Sequence, residues 1–215
     1  MDDKTSAFCE LIGFLHQSHA QWARNPHSNL KHRELHDMIS KVYSIVEPGK
    51  LDNILIETRK SGRIDFLSSK VFLFLKPPIK EDVLPVLSMK GDLNKEDLSI
   101  LMALFKLDKL KLPAAIGFRF ETPHGDGLHN YHHAQMIKAF DKSIRSELPQ
   151  IPPCLPETQP ALMLSATNPR SLFLGVLIGL YGLGKIEREW QGQGFTGHLT
   201  EDLDALKRGC GAPEK

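Results

Sequence analysis

Residues 114–140 read AAIGFRFETPHGDGLHNYHHAQMIKAF, and the fold turns on how this stretch doubles back on itself. From 114 to 121 the apolar Ile116, Phe118 and Phe120 alternate with Arg119 and Glu121. That period of two is the mark of a half-buried strand. Residues 131–140 suit a second strand. The segment between them, TPHGDGLHN, is rich in Gly, Pro, Asp and Asn. Each of these residues suits tight or left-handed backbone, which predicts a roomy hairpin loop.

The same hairpin concentrates the polar chemistry of the chain. Four of the ten histidines, His124, His129, His132 and His133, lie within ten residues, beside Arg119, Glu121 and Asp126. Strand alternation sends Arg119 and Glu121 to one face. It sends His133 and Gln135 to one face of the returning strand and His132 and Ala134 to the other. If the strands pair, one of the two histidines shares the face of Glu121, and the register decides which.

Two chemistries suit these groups. In one, His124, Asp126 and His129 hold a divalent metal that lowers the pKa of its bound water. In the other, Glu121 is a general base, His133 an acid, and Arg119 stabilises charge on a phosphoryl group. Either makes a phosphodiesterase or nuclease. The alternative is a recognition surface, with Tyr131, His132 and Gln135 meeting a partner, since exposed loops often carry binding.

Working outward, residues 5–24 are the clearest helix. Phe8, Leu11, Ile12, Leu15, His19, Trp22 and Ala23 fall on one stripe, and Asn25-Pro26 ends it. Residues 29–46 form a second helix on Leu35, Met38, Ile39, Val42 and Val46, so the N-terminus reads as a helical hairpin. His16 and His19 lie three apart on the first helix, and His32 and His36 four apart on the second. Each pair shares a helical face, and antiparallel packing brings all four together, as metal ligands or as core histidines. The place of His19 in the apolar stripe favours the core.

Residues 51–58 suit a helix or a strand, residues 71–75 a short strand, and residues 79–88 a short helix. Asn94 reads as the cap of a helix over 95–106, with Glu96 and Asp97 in its first turn and a stripe of Leu98, Leu101, Met102 and Phe105. Five prolines between 149 and 160 predict an extended connector. Beyond it, Asn168-Pro169 opens the most apolar segment, SLFLGVLIGLYGL, and Gly182 and Gly184 stop it. This segment is well short of the roughly 20 residues a membrane helix needs, so it reads as a buried helix. Gly175 and Gly179 are spaced for close backbone approach. A short helix over 201–208 follows.

The expected fold class is therefore α+β: an N-terminal helical hairpin, a small antiparallel sheet and an apolar C-terminal helix packed on it. Residues 1–110 read as a mainly helical half and 111–215 as an α+β half holding the hairpin at about 114–140. The two join as one continuous domain.

Composition narrows function mainly by exclusion. The 215 residues carry 27 Lys+Arg against 26 Asp+Glu, a net charge of +1, so no global field steers the chain onto nucleic acid or membrane. Residues 50–120 carry 13 basic against 9 acidic side chains, a weak local excess. Three cysteines, Cys9, Cys154 and Cys210, form no CxxC pair. A reducing, cytoplasmic compartment is the plain reading, and the first residues show no secretory pattern. Neither GxxxxGK[ST], HExxH nor GxSxG occurs. The leading functional expectation is a non-catalytic cytosolic binding or assembly protein that meets a protein partner or a further copy of itself. The alternative is the phosphodiesterase or nuclease described above, with or without a divalent metal.

Overall fold

Leu98, Ile100 and Met102 are buried with one hydrophobic cluster, while Leu101, Ala103 and Phe105 are buried with another. Only a strand covered on both faces does this, and that strand organises the molecule. The computed structural model describes residues 3–25, 30–42, 46–69, 71–78, 83–107, 113–123, 131–137, 162–191 and 197–209. Within them the chain is α+β. Helix α1 (Asp3–Arg24), helix α2 (Leu30–Val42) and helix α3 (Pro48–Ser61) lead into strands β1 (Arg63–Asp65), β2 (Leu73–Phe74), β3 (Leu84–Asp92), β4 (Asp97–Leu107), β5 (Pro113–Glu121), β6 (His133–Ile137) and β7 (Leu162–Met163). Helices α4 (Pro169–Tyr181), α5 (Leu183–Gln191) and α6 (Gly197–Gly209) close it.

The sheet has seven strands in the order β1-β3-β4-β5-β6-β7, with β2 also paired to β3, and every pairing is antiparallel. It crosses residue 110, since β4 and β5 are neighbours. One face packs with α1, α3, α4 and α6 through Phe8, Leu11, Leu55, Phe173 and Leu203, among others. Phe8 and Phe173 meet with ring centroids 5.4 Å apart. The opposite face is covered by α2, whose Leu35 and Ile39 pack on Phe74, Val86, Ala103 and Phe105. The helical hairpin thus reaches both layers, and its helices meet where His19 faces His36.

Two sequence expectations are corrected here. Residues 95–106 are not an α-helix: Lys95 and Glu96 end the β3–β4 turn and residues 97–106 are most of β4, while residues 84–88 belong to β3. A strand buried on both faces shows apolar side chains at nearly every position, and such a run matches helical spacing as readily as strand spacing. Asn94 does not cap a helix. It sits in the four-residue β3–β4 turn, where Asp92 Oδ1 accepts from its backbone N–H and Glu96 adopts left-handed backbone, φ 55°. Gly91 is required beside this turn, because a Cβ there would lie 2.2 Å from the Asp97 carbonyl oxygen.

The apolar helix α4 starts where the sequence places it. Asn168 and Ser171 form a reciprocal capping box and Pro169 fills the first turn. Gly182, at φ 80°, ends it by donating its N–H to Ile178 O. A further helix, α5, follows that stop at once, which the glycines had hidden. Gly175 and Gly179 do not bring backbones together: a Cβ at either would meet nothing within 4 Å among the described residues. No helix among these residues is long and apolar enough to cross a membrane.

Candidate functional site

Antiparallel pairing of β4, β5 and β6 builds the site from one residue of each strand. Ser99 stands opposite Glu121, and Glu121 stands opposite His133. One step along, Arg119 stands opposite Gln135. Alternation puts all five on the α2 side of the sheet, since Leu101 and Ala103 of β4 are buried there. The register therefore selects His133, and not His132, as the histidine beside Glu121.

The geometry converges on the Glu121 carboxylate. Ser99 Oγ donates to Glu121 Oε1 at 3.2 Å. His133 Nε2 lies 3.4 Å and Arg119 Nη1 3.8 Å from Oε2. The other ring nitrogen of His133, Nδ1, is 3.1 Å from the Tyr131 carbonyl oxygen. The Tyr131 ring meets His133 edge-on, centroids 5.9 Å apart. Below this level Thr122 locks β5 to the start of β4: its Oγ1 accepts from Leu98 N at 2.8 Å and its N–H donates to Leu98 O.

Exposure falls sharply across the cluster. The Arg119 side chain is 44% exposed, Glu121 15% and His133 only 1%. The arrangement can hold a carboxylate and order two strands. It presents one cation, Arg119, to solvent.

Of the expected catalytic set, then, Arg119, Glu121 and His133 are brought together. Tyr131 belongs to the cluster through its backbone and ring edge, while Gln135 lies across from Arg119 on the neighbouring strand. His132 does not share this environment. Its carbonyl accepts from Leu164 N and its Nε2 is buried without a hydrogen bond among the described residues. Burial pushes its ring toward the neutral form, against the opposing pull of Glu96. The expected metal ligands His124, Asp126 and His129 lie outside the described residues. Among those described, no three His, Cys, Asp or Glu side chains are placed to hold a metal ion. Ser99 went unnoticed in the sequence because its segment read as helix. As a strand residue it is opposite Glu121 by register alone.

Of the N-terminal histidine pairs, His19 and His36 meet directly and His32 joins them through Trp22, as a packed aromatic group. His19 and His36 have ring centroids 5.3 Å apart, Trp22 lies against both, and Phe74 closes the other side. Elsewhere a polar cleft of about 350 Å³ opens at the start of α4, lined by residues that include Lys4, Asn94, Glu96, Asn168 and Arg170. Its Arg170 is already engaged, with Nε donating to Asp202 Oδ2 at 2.6 Å, and Asn168 caps the helix end.

Comparison with protein-family models, with curated proteins and with solved structures finds no match to this chain.

Proposed function

We propose that the chain is a non-catalytic binding protein that works as a subunit of a larger assembly, in a reducing, cytoplasmic setting. The observation that carries this reading is the burial of His133 at 1% exposure. A general acid or base must come within hydrogen-bond reach of its substrate. A ring whose nitrogens both face protein oxygens, under an edge-on tyrosine, offers no such approach. The cluster then serves as a polar tie across three strands, with Ser99 and His133 drawn to the Glu121 carboxylate from either side.

The surface that suits assembly lies on the opposite face of the same strands. Ile116 is 45% and Met136 39% exposed, large apolar side chains in the open. Met136 stands opposite Phe118, which makes Ile116 its diagonal neighbour across β5 and β6. Strand β7 pairs only with His133 and Ala134, so the outer edge of residues 135–137 has no strand partner among the described residues. An apolar face beside an open edge is a template for strand addition. We assign it to a second copy of this chain, because antiparallel edge pairing about a two-fold axis lets both copies offer the same residues. Cys9 agrees with a reducing compartment: its thiol is free and buried, and burial pushes its pKa up to about 11, which leaves it inert. Sedimentation across a concentration series tests the assignment, with Met136→Asp as the variant expected to stay monomeric.

A second reading, a phosphodiesterase or nuclease, is favoured by one observation: Arg119, Glu121 and His133 meet on one face with the Arg119 guanidinium open to solvent. Its test is turnover of bis(4-nitrophenyl) phosphate and of single-stranded RNA, with and without manganese. Activity that disappears in both Glu121→Ala and His133→Ala, while the fold survives, would establish it in place of the assembly reading.

A further inference from the structure

The junction of α1 with α2 buries more imidazole than any other part of the described structure. His16, His19 and His32 are 8%, 4% and 7% exposed, and the His36 side chain 17%. The Nε2 atoms of His16, His19 and His36 are buried and make no hydrogen bond among the described residues. The rings instead behave as aromatic packing: His19 and His36 lean on each other, on Trp22 and on Phe74. Neutral imidazole tolerates such surroundings. An imidazolium does not, because a buried charge needs a partner.

We infer that this junction is an acid-sensitive latch, in which protonation of His19, packed on His36 and Phe74, releases α2 from the sheet. The groups around the pair are few and unequal. On α1, His16 acts on His19; on α2, His36 faces it and His32 reaches Trp22; from the strand side the uncharged Phe74 packs on His19 among the described residues. Asp37 Oδ1 lies 3.4 Å from His36 Nδ1, but that carboxylate is 74% exposed and well screened. Asp52 of α3 acts on His16. Among the described residues no carboxylate is placed to answer a charge on His19, whose ring packs on that of His36 with centroids 5.3 Å apart.

The sign follows from these surroundings. Burial, then His36 and His16, push the His19 pKa down to about 3, and burial lowers that of His16. Opened, His19 returns to its ordinary value of 6.5. The docked state therefore binds fewer protons than the open one between these values. Its stability is complete above pH 6.5 and falls as the pH drops toward 3. For His19 alone, each pH unit below 6.5 raises the open population up to about tenfold. Opening uncovers the apolar face formed by Phe72, Phe74, Leu84, Val86 and Phe105, a surface suited to binding.

Trp22, in contact with His32 and His36, reports the event directly. In the full chain carrying Trp190→Phe, Trp22 emission should shift to the red between pH 6.5 and 4.5 while far-ultraviolet circular dichroism holds its helix signal. His19→Phe, with a ring that takes no proton, should move that midpoint at least one pH unit lower. If His19→Phe folds poorly, wild-type hydrogen exchange decides. Protection of the α2 amides, corrected for intrinsic rates, should fall about eightfold from pH 7 to pH 5.5, with α4 unchanged. An emission midpoint unmoved by His19→Phe, α2 protection that is independent of pH, or loss of α2 and α4 together would overturn the latch.

Discussion

Glu121 and His133 stand directly opposite each other on β5 and β6, with Oε2 and Nε2 3.4 Å apart. Three strands meet at this carboxylate, because Ser99 of β4 donates to it as well. A pair of this kind contributes mainly by what its loss leaves behind, a buried polar group facing the wrong neighbour. Glu121→Ala should destabilise the fold by about 2 kcal/mol, lowering the melting temperature by about 6 °C. Glu121→Gln should cost less, since its amide oxygen still accepts. Equal melting temperatures for wild type and Glu121→Ala, measured by calorimetry, would show that the cluster is not a tie.

Arg170 and Asp202 join the start of α4 to α6 through a two-point contact, 2.6 Å at Nε and 3.4 Å at Nη2. Asn168 Nδ2 donates to the same carboxylate at 2.8 Å. The side chains are only 13% and 8% exposed, so removing one leaves the other charge buried and unanswered. Asp202→Ala should cost about 3 kcal/mol. The paired change Asp202→Leu with Arg170→Met should recover most of it, because two apolar groups leave no uncompensated charge. Urea unfolding of the three proteins measures both.

Gly91→Ala should weaken the β3–β4 hairpin by about 2–3 kcal/mol, because its new methyl meets the Asp97 carbonyl, which backbone pairing holds in place. Gly179→Ala provides the control. Open space at that position predicts no loss, and a small gain from the better helix former. Thermal melts of the two variants should move in opposite directions.

These contacts also show which parts of the fold are legible in the sequence. The stripe of α1 and the Asn168-Pro169 start of α4 are local signals, written in adjacent residues, and both elements form where those signals place them. The alternation Ile116, Phe118, Phe120 marks β5 for the same reason. Strands β3 and β4 hide because α2 covers their second face, and that cover lies some fifty residues away in the chain. The site follows the same rule. Alternation alone puts Arg119 and Glu121 on one face, but choosing His133 over His132 needs the β5–β6 register. Ser99 becomes visible only once β4 is a strand.

The most direct test of assembly is sedimentation equilibrium of the full chain from about 1 to 100 µM, beside Met136→Asp and Ile116→Asp. Pairing along the open β6 edge predicts a reversible monomer–dimer equilibrium in the wild type. It also predicts monomers at every concentration in both variants, with unchanged circular dichroism. A wild type that stays monomeric throughout, or variants that dimerise as readily as the wild type, would contradict it.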